Sequence, residues 1–360
     1  MKRIVATGAG GPAGINFVMS LRIAPERIFI VGTEASEYFI YLAPTDIKYL
    51  VPKAEEEGYI DKLNEIIRKE KVDFLHAQTD VEVAIVSENR EKLEANVFLP
   101  SKNTVKVCQD KFESAKIWIK KNVPVARTME LHSEKDIEKA FEEFGNPIWI
   151  RARHGAGGRG STPAYNKKMA LSWINYWKAR GVNWEFIAQE HLPGRNIGFH
   201  SLWKDGELVT SMARERLEYI YPHLAPSGIT GTPAVQKTLH DDTVNRIATE
   251  AVLAIDPKFN GIACVDLKDN RNGVPCVTEI NAARMFTTSF FFSYASKVFR
   301  KNHYANIPYL YVKLAFKETI PEIPKYNILP ENVYWIRHID APAKLVKNGK
   351  IVGEMYCWCE

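Results

Sequence analysis

A chain of 360 residues with 46% hydrophobic and 25% charged side chains is long enough to bury two or three cores without disulfide or metal staples. Its 48 Lys+Arg against 43 Asp+Glu leave a net charge of +5 without long single-sign runs, which calls for no nucleic-acid or membrane-surface partner and leaves small anionic ligands open. Cys108, Cys264, Cys276, Cys357 and Cys359 show no zinc-like spacing, early glycines leave no signal-peptide core, and no apolar run reaches membrane-spanning length; the expectation is a cytoplasmic protein with reduced thiols.

In chain order, residues 3–7 read as a buried strand, followed by a turn with Gly8, Gly10, Gly11 and Gly14 and a helix with Ile15, Val18 and Leu21 apolar. A second strand at 28–31 leads to Gly32, Thr33 and Glu34. Glu34 lies twenty positions after Gly14, the spacing of a dinucleotide-binding fingerprint, so an NAD(P)-dependent dehydrogenase is one reading. The other is that any doubly wound sheet needs a tight glycine turn here. Strands at 47–51, 72–77 and 97–99 alternate with helices at 59–69 and 82–93, giving a parallel α/β domain. Ligands bind such sheets at the carboxyl ends of the strands, which makes Glu34, His76, Gln78, Thr79 and Asp80 candidates for holding a small polar substrate. Taken singly, each is equally a cap or loop residue.

Pro100 and Ser101 start a connector with a helix at 110–121, and a second helix opens at Ser133 with Asp136 in a capping-box position. A strand at 147–151 runs into Gly155, Gly157, Gly158, Gly160 and Ser161. Backbone N–H groups of such a loop can curl around phosphate oxygens, and Arg151, Arg153 and Arg159 add charge; a flexible surface loop is the alternative. A helix at 169–180 and a strand at 186–189 follow, then Glu190, His191, Leu192, Pro193 and Gly194. A hairpin at 197–212 turns at Asp205 and Gly206 and reaches Arg214 and Arg216, so hairpins replace the alternation and an α+β region begins. The Pro/Gly-rich stretch 222–233 reads as a lid or substrate loop, and 241–255 as a helix.

Residues 261–284 read as a hairpin. With Asn272 and Gly273 as a type I′ turn, Asp266 stands opposite Glu279. Facing carboxylates repel unless a cation lies between them, and Asn281 shares the face of Glu279. Such an all-oxygen set suits Mg²⁺ or Mn²⁺ held jointly with phosphate; a solvated acidic edge is the other reading. Phe286 and residues 290–292 are expected in a core, followed by a helix at 309–316 and a strand pair around Asn348 and Gly349.

This order of parts resembles the ATP-grasp superfamily, in its carboxylate-amine ligase and carbamoyl-phosphate-synthase-like branch. The resemblance implies a Rossmann-like pre-ATP-grasp α/β domain at 1–103, a small lobe with the glycine loop at 104–192, a large α+β lobe with the metal site at 193–325, and an extension at 326–360 packed on the large lobe. It assigns phosphate contacts to Lys111, Arg151 and the loop containing Gly155, Gly157, Gly158 and Ser161, adenine to Glu190, His191 and Leu192, and ribose to Asn196. Asp266, Glu279 and Asn281 become Mg²⁺ (or Mn²⁺) ligands, and Arg214, Arg216 and Arg284 attend the transferring phosphoryl group and a substrate carboxylate. The implied activity is ATP-dependent joining of a carboxylate and an amine through an acyl phosphate, in a homodimer. Two departures stand out: Asn196 replaces the usual ribose-binding Glu, and the Asn281-to-Arg284 step is one residue longer than usual. They leave a non-catalytic ATP-binding sensor as a further alternative.

Overall fold

The computed structural model describes residues 1–155, 158–339 and 341–354. The chain opens with β1 (Arg3–Ala6), α1 (Pro12–Arg22), β2 (Phe29–Glu34), β3 (Ile47–Leu50), α2 (Tyr59–Glu70), β4 (Phe74–His76) and α3 (Asp80–Glu88). The four strands are parallel, in the order β3-β2-β1-β4, and Ile4 and Val5 are buried on opposite faces, as a sheet covered by helices on both sides requires. The fifth strand expected at 97–99 does not form. Asn96 makes one parallel bridge to Phe74 before Pro100 and Ser101 divert the chain. Ser101 instead caps α4 (Lys102–Gln109), a helix where the sequence predicts only a connector, and Asp110 caps α5 (Lys111–Lys120) through the amides of Phe112 and Glu113.

The next unit is an antiparallel sheet of order β5-β8-β6-β7, made by β5 (Thr128–Leu131), β6 (Ile148–Ala152), β7 (Thr162–Ala164) and β8 (Phe186–Glu190), with α6 (Glu134–Phe144) and α7 (Lys167–Ala179) packed on it. The Ser133/Asp136 capping box is present at the start of α6.

The third unit comprises β9 (Asn196–Lys204), β10 (Glu207–Tyr219), β11 (Pro233–Thr238), α8 (Asp242–Ile255), β12 (Gly261–Asp269), β13 (Pro275–Ala282), α9 (Ser289–Val298), α10 (Ile307–Ala315), β14 (Val333–His338), β15 (Ala341–Lys347) and β16 (Lys350–Glu354). Its eight strands run in the order β13-β12-β9-β10-β11-β14-β15-β16, so the C-terminal strands extend the same sheet. Strand alternation sends Ile197, Phe199, Val265 and Leu267 into a core with α8. The opposite face presents Asn196, Arg214, Arg216 and Asp266 to a cavity. Beside that face, Phe17 and Leu21 of α1 share one apolar cluster with Phe291 of α9 and Leu310 of α10, which fixes the first domain against the large sheet.

Asp266 pairs with Glu279 as expected, but the turn differs. Asn270 bonds to Val274, leaving Arg271, Asn272 and Gly273 as a three-residue loop with Gly273 at φ +74°. That loop shifts the register by one residue, and a bulge at Thr278 shifts it back. Among the described residues, no helix is long and apolar enough to cross a membrane.

Candidate active site

A cavity of about 220 Å³ lies between the second and third units. One wall is the β12-β13 hairpin. Asp266 accepts from the Arg216 guanidinium through Oδ1 and from Asn281 Nδ2 at 3.2 Å through Oδ2. Glu279 accepts from Arg151 at 2.7 Å and lies 3.7 Å from Lys111 Nζ. The facing acids are thus each paired with cations, which come from three different segments, α5, β6 and β10. They are also inequivalent. Burial alone would raise Glu279, yet Arg151, Lys111 and Arg284 hold it down to about 2, while burial and the Glu279 charge raise Asp266 against the pull of Arg216. This overturns the solvated-edge alternative, because both carboxylates face inward and are ion-paired.

Lys111 is only 6% exposed, donates to the Gly155 carbonyl at 2.6 Å, and is pushed down to about 8 by burial despite Glu279. Gly158 and Ser161 line the cavity; Gly155 is exposed outside it, and Gly157 lies outside the described residues. The anion reading of the three arginines needs correction for Arg153. Its guanidinium clasps both Asp110 oxygens at 2.7–3.0 Å and reaches Glu130 at 2.9 Å, so it fastens the start of α5. Arg159 is exposed, and only Arg151 of the three lines the cavity.

At the other end Glu190, His191, Leu192 and Trp149 form a half-apolar recess, with Glu190 bonded to Arg127 at 2.9 Å. Asn196 stands between Arg216, from which it accepts at 3.0 Å, and Tyr219, to which it donates at 2.8 Å. Lys268, paired across the strands with Asn196, also lines this end; burial lowers its ammonium. Sequence reading passed over it, although it lies two residues beyond Asp266 and therefore on the same face. The loop after β10 supplies Ser227, Ile229 and Gly231 as a further wall.

Arg284 ties the hairpin to the first domain: it pairs with Asp80 at 2.7 Å and donates to Asn281 Oδ1. Asp80 is the one member of the expected substrate cluster that reaches the site. Gln78 is 2% exposed and spends its side chain on His76 and the Met285 carbonyl, and His76 is fully buried. Thr79 caps α3. Glu34 folds back onto the backbone N–H groups of Gly10, Ala35 and Ser36. The glycine turn has its own structural cause, since a side chain at Gly10 would overlap the Phe39 carbonyl and one at Gly14 the Gly8 carbonyl. The Phe39 carbonyl thus packs against the turn at Gly10.

Asp266, Glu279 and Asn281 offer only hard oxygen donors, and among the described residues no cluster of three or more His, Cys, Asp or Glu side chains is poised for a metal. Two carboxylates and an amide fit a divalent cation whose remaining ligands are phosphate and water oxygens.

Residues 110–179 match the family described as carbamoyl-phosphate synthase L chain, ATP binding domain. No curated protein sequence matches the chain. Among solved structures it is similar to carboxyaminoimidazole ribonucleotide synthase from Aspergillus clavatus complexed with ATP, with TM-score 0.67 and 14% identity over 93% of this chain and 81% of that one. It is also similar to N5-carboxyaminoimidazole synthetase from Staphylococcus aureus complexed with ADP, with TM-score 0.67 and 15% identity over 93% and 82%. The biotin carboxylase of Campylobacter jejuni gives TM-score 0.68 and 17% identity over 93% and 74%. With its parallel first domain, two antiparallel lobes, and a cavity closed between the glycine loop and an acidic hairpin, the chain has the ATP-grasp fold.

Proposed function

We propose that the protein is an ATP- and Mg²⁺-dependent ligase that activates a carboxylate as an acyl phosphate and joins it to an amine. The observation that carries this reading is the convergence of Lys111, Arg151 and Arg216 on the facing pair Asp266 and Glu279. Such a set of opposed charges has little use in a fold interior, and it matches what a polyphosphate with a divalent cation needs.

In this reading Trp149, His191 and Leu192 receive the base, Asn196 and Lys268 the ribose, and Lys111 and Arg151 the phosphates. Asp266, Glu279 and Asn281 would hold the cation, which when bound neutralises phosphate charge. A carboxylate oxygen attacks the γ-phosphorus and ADP departs; the amine nitrogen then attacks the acyl carbon, phosphate leaves, and the amine gives up its proton. Arg216 and Arg284 steady the phosphoryl charge, while the glycine loop and the Ser227–Gly231 wall exclude water that would hydrolyse the intermediate. A cytoplasmic location, Mn²⁺ as a substitute cation and a homodimer belong to the same proposal; the three described cysteines, Cys108, Cys264 and Cys276, are free and buried, in keeping with the first.

The test is an ADP-release screen over acids and amines with Mg²⁺, with mass analysis of the product. Stabilisation by NAD(H) and none by ATP with Mg²⁺ would overturn the reading. A second reading, nucleotide binding without turnover, is favoured by one feature: Arg284 already occupies the Asn281 amide oxygen. It predicts nucleotide binding but no ADP release with any pair.

A further inference from the structure

The first domain carries a dense run of exposed apolar side chains that neither its core nor the cavity uses. Tyr38 is 73% exposed, Phe39 55%, Tyr41 78% and Leu42 57%, and Leu50 at the end of β3 is 50% exposed. None of the five lines the cavity. The segment is braced on all sides. Residues Phe39–Leu42 form a single helical turn with Ile40 buried beneath it. Ser36 Oγ accepts from the Phe39 amide at 3.2 Å, and Lys48 of β3 donates to the Tyr41 carbonyl at 3.2 Å. The rings therefore stand outward from a fixed backbone, beside β3, which is the end strand of its sheet.

An aromatic side chain offers roughly 200 Å² of contact surface, so Tyr38, Phe39 and Tyr41 at these exposures leave about 400 Å² uncovered. With Leu42 and Leu50 the patch reaches roughly 500 Å², near the upper end of what a monomer leaves in one place. Two such patches face to face cover about 1,000 Å², and with a polar rim they reach the 1,200–2,000 Å² or so of a stable interface. The charges beside the rings favour a copy of the same surface. Glu37 and Lys48 are exposed, of opposite sign, and without an ion pair among the described residues. Across a two-fold axis each can meet the other while the aromatic centre meets itself, whereas a lipid surface would be served by cations around the rings. A partner seated here also covers the open edge of β3.

We infer that two copies of this chain associate about a two-fold axis through residues 38–42 and Leu50, with Glu37 of each copy set against Lys48 of the other. The inference gives a surface to the homodimer of the ligase reading. It is tested without turnover, so its failure leaves the ATP chemistry standing.

The test is sedimentation velocity of the full chain over about a hundredfold range of concentration. The expected mass is twice the 41.0 kDa of one chain. Tyr41→Glu sets like charges across the axis and should weaken association by about a hundredfold, with the melting temperature of the monomer unchanged because the ring lies outside the core. Glu37→Lys should weaken it about tenfold, and the addition of Lys48→Glu should restore it. Ile351→Glu, at a site 55% exposed on β16, should stay dimeric. A monomeric wild type overturns the inference, and so does a Tyr41→Glu protein that dimerises with wild-type strength. Dissociation by Ile351→Glu alone would move the interface to the C-terminal strands. A wild-type monomer that floats with phosphatidylcholine vesicles would assign the patch to a lipid surface instead.

Discussion

Asp266 and Glu279 face each other across the β12-β13 hairpin because two one-residue offsets cancel, a three-residue turn and a bulge at Thr278. The bulge is held by the Thr278 hydroxyl, which donates to the Asp266 carbonyl at 3.1 Å. Without it, strand alternation would carry Glu279 to the apolar face. Thr278→Val should cost about 1 kcal/mol in denaturant unfolding and lower kcat for ADP release more than it raises KM for ATP. Unchanged kcat would mean that the bulge is fixed by the neighbouring strands alone.

Removing the charge of Glu279 tests the site more directly. Glu279→Gln keeps the shape but leaves Arg151 and Lys111 with a weaker acceptor. ADP release should fall by about a hundredfold or more, with circular dichroism unchanged and the Mg²⁺ dependence weakened. Retention of normal metal-dependent turnover would remove the hairpin from the catalytic account.

What the sequence made legible follows from how local each feature is. The first domain was readable because β1, β2 and β4 are short apolar runs separated by helices of clear period, and Ser133 with Asp136 announces α6. In sequence the Asp266-Glu279 pairing follows from a two-residue turn that does not form; Asn272 and Gly273 fit either loop, and nothing in the local pattern marks Thr278 as a bulge. Arg151 and Arg153 look alike in sequence. Strand alternation points one into the cavity, while the end of β6 turns the other onto Asp110, and that partner lies more than forty residues away. Gln78 looked available because it follows a strand, and its burial depends on Met285, brought over it by the far end of the chain.

Gly198 is the position where the sheet itself makes room for the site. A side-chain carbon there would lie 2.8 Å from Arg216 Nη2 and 3.3 Å from Arg214 Nε. Gly198→Ala should therefore displace Arg216 from Asp266 with little loss of stability, since the clash is with side-chain ends. The expected result is about a tenfold rise in KM for ATP with a melting temperature within a few degrees of wild type. Wild-type kinetics would show that Arg216 can bind Asp266 from a second rotamer.

Two buried histidines should weaken the fold in acid. Burial lowers His76 to about 4, against the hydrogen bond that its Nε2 donates to Gln78 Oε1, and lowers His200 to about 3, helped by the Arg214 charge. His200 lies against Phe286 and Phe292 with neither ring nitrogen partnered. Both values fall below the unfolded value of about 6.5, so the unfolded chain binds more protons and stability drops as pH falls from about 6.5 towards 4. Between pH 6.5 and 5 each histidine should account for about 1.5 kcal/mol. Urea unfolding of wild type and His200→Phe at a series of pH values checks this: the variant should lose about half of the wild-type decline. An identical slope in the two proteins would assign the acid sensitivity to other groups.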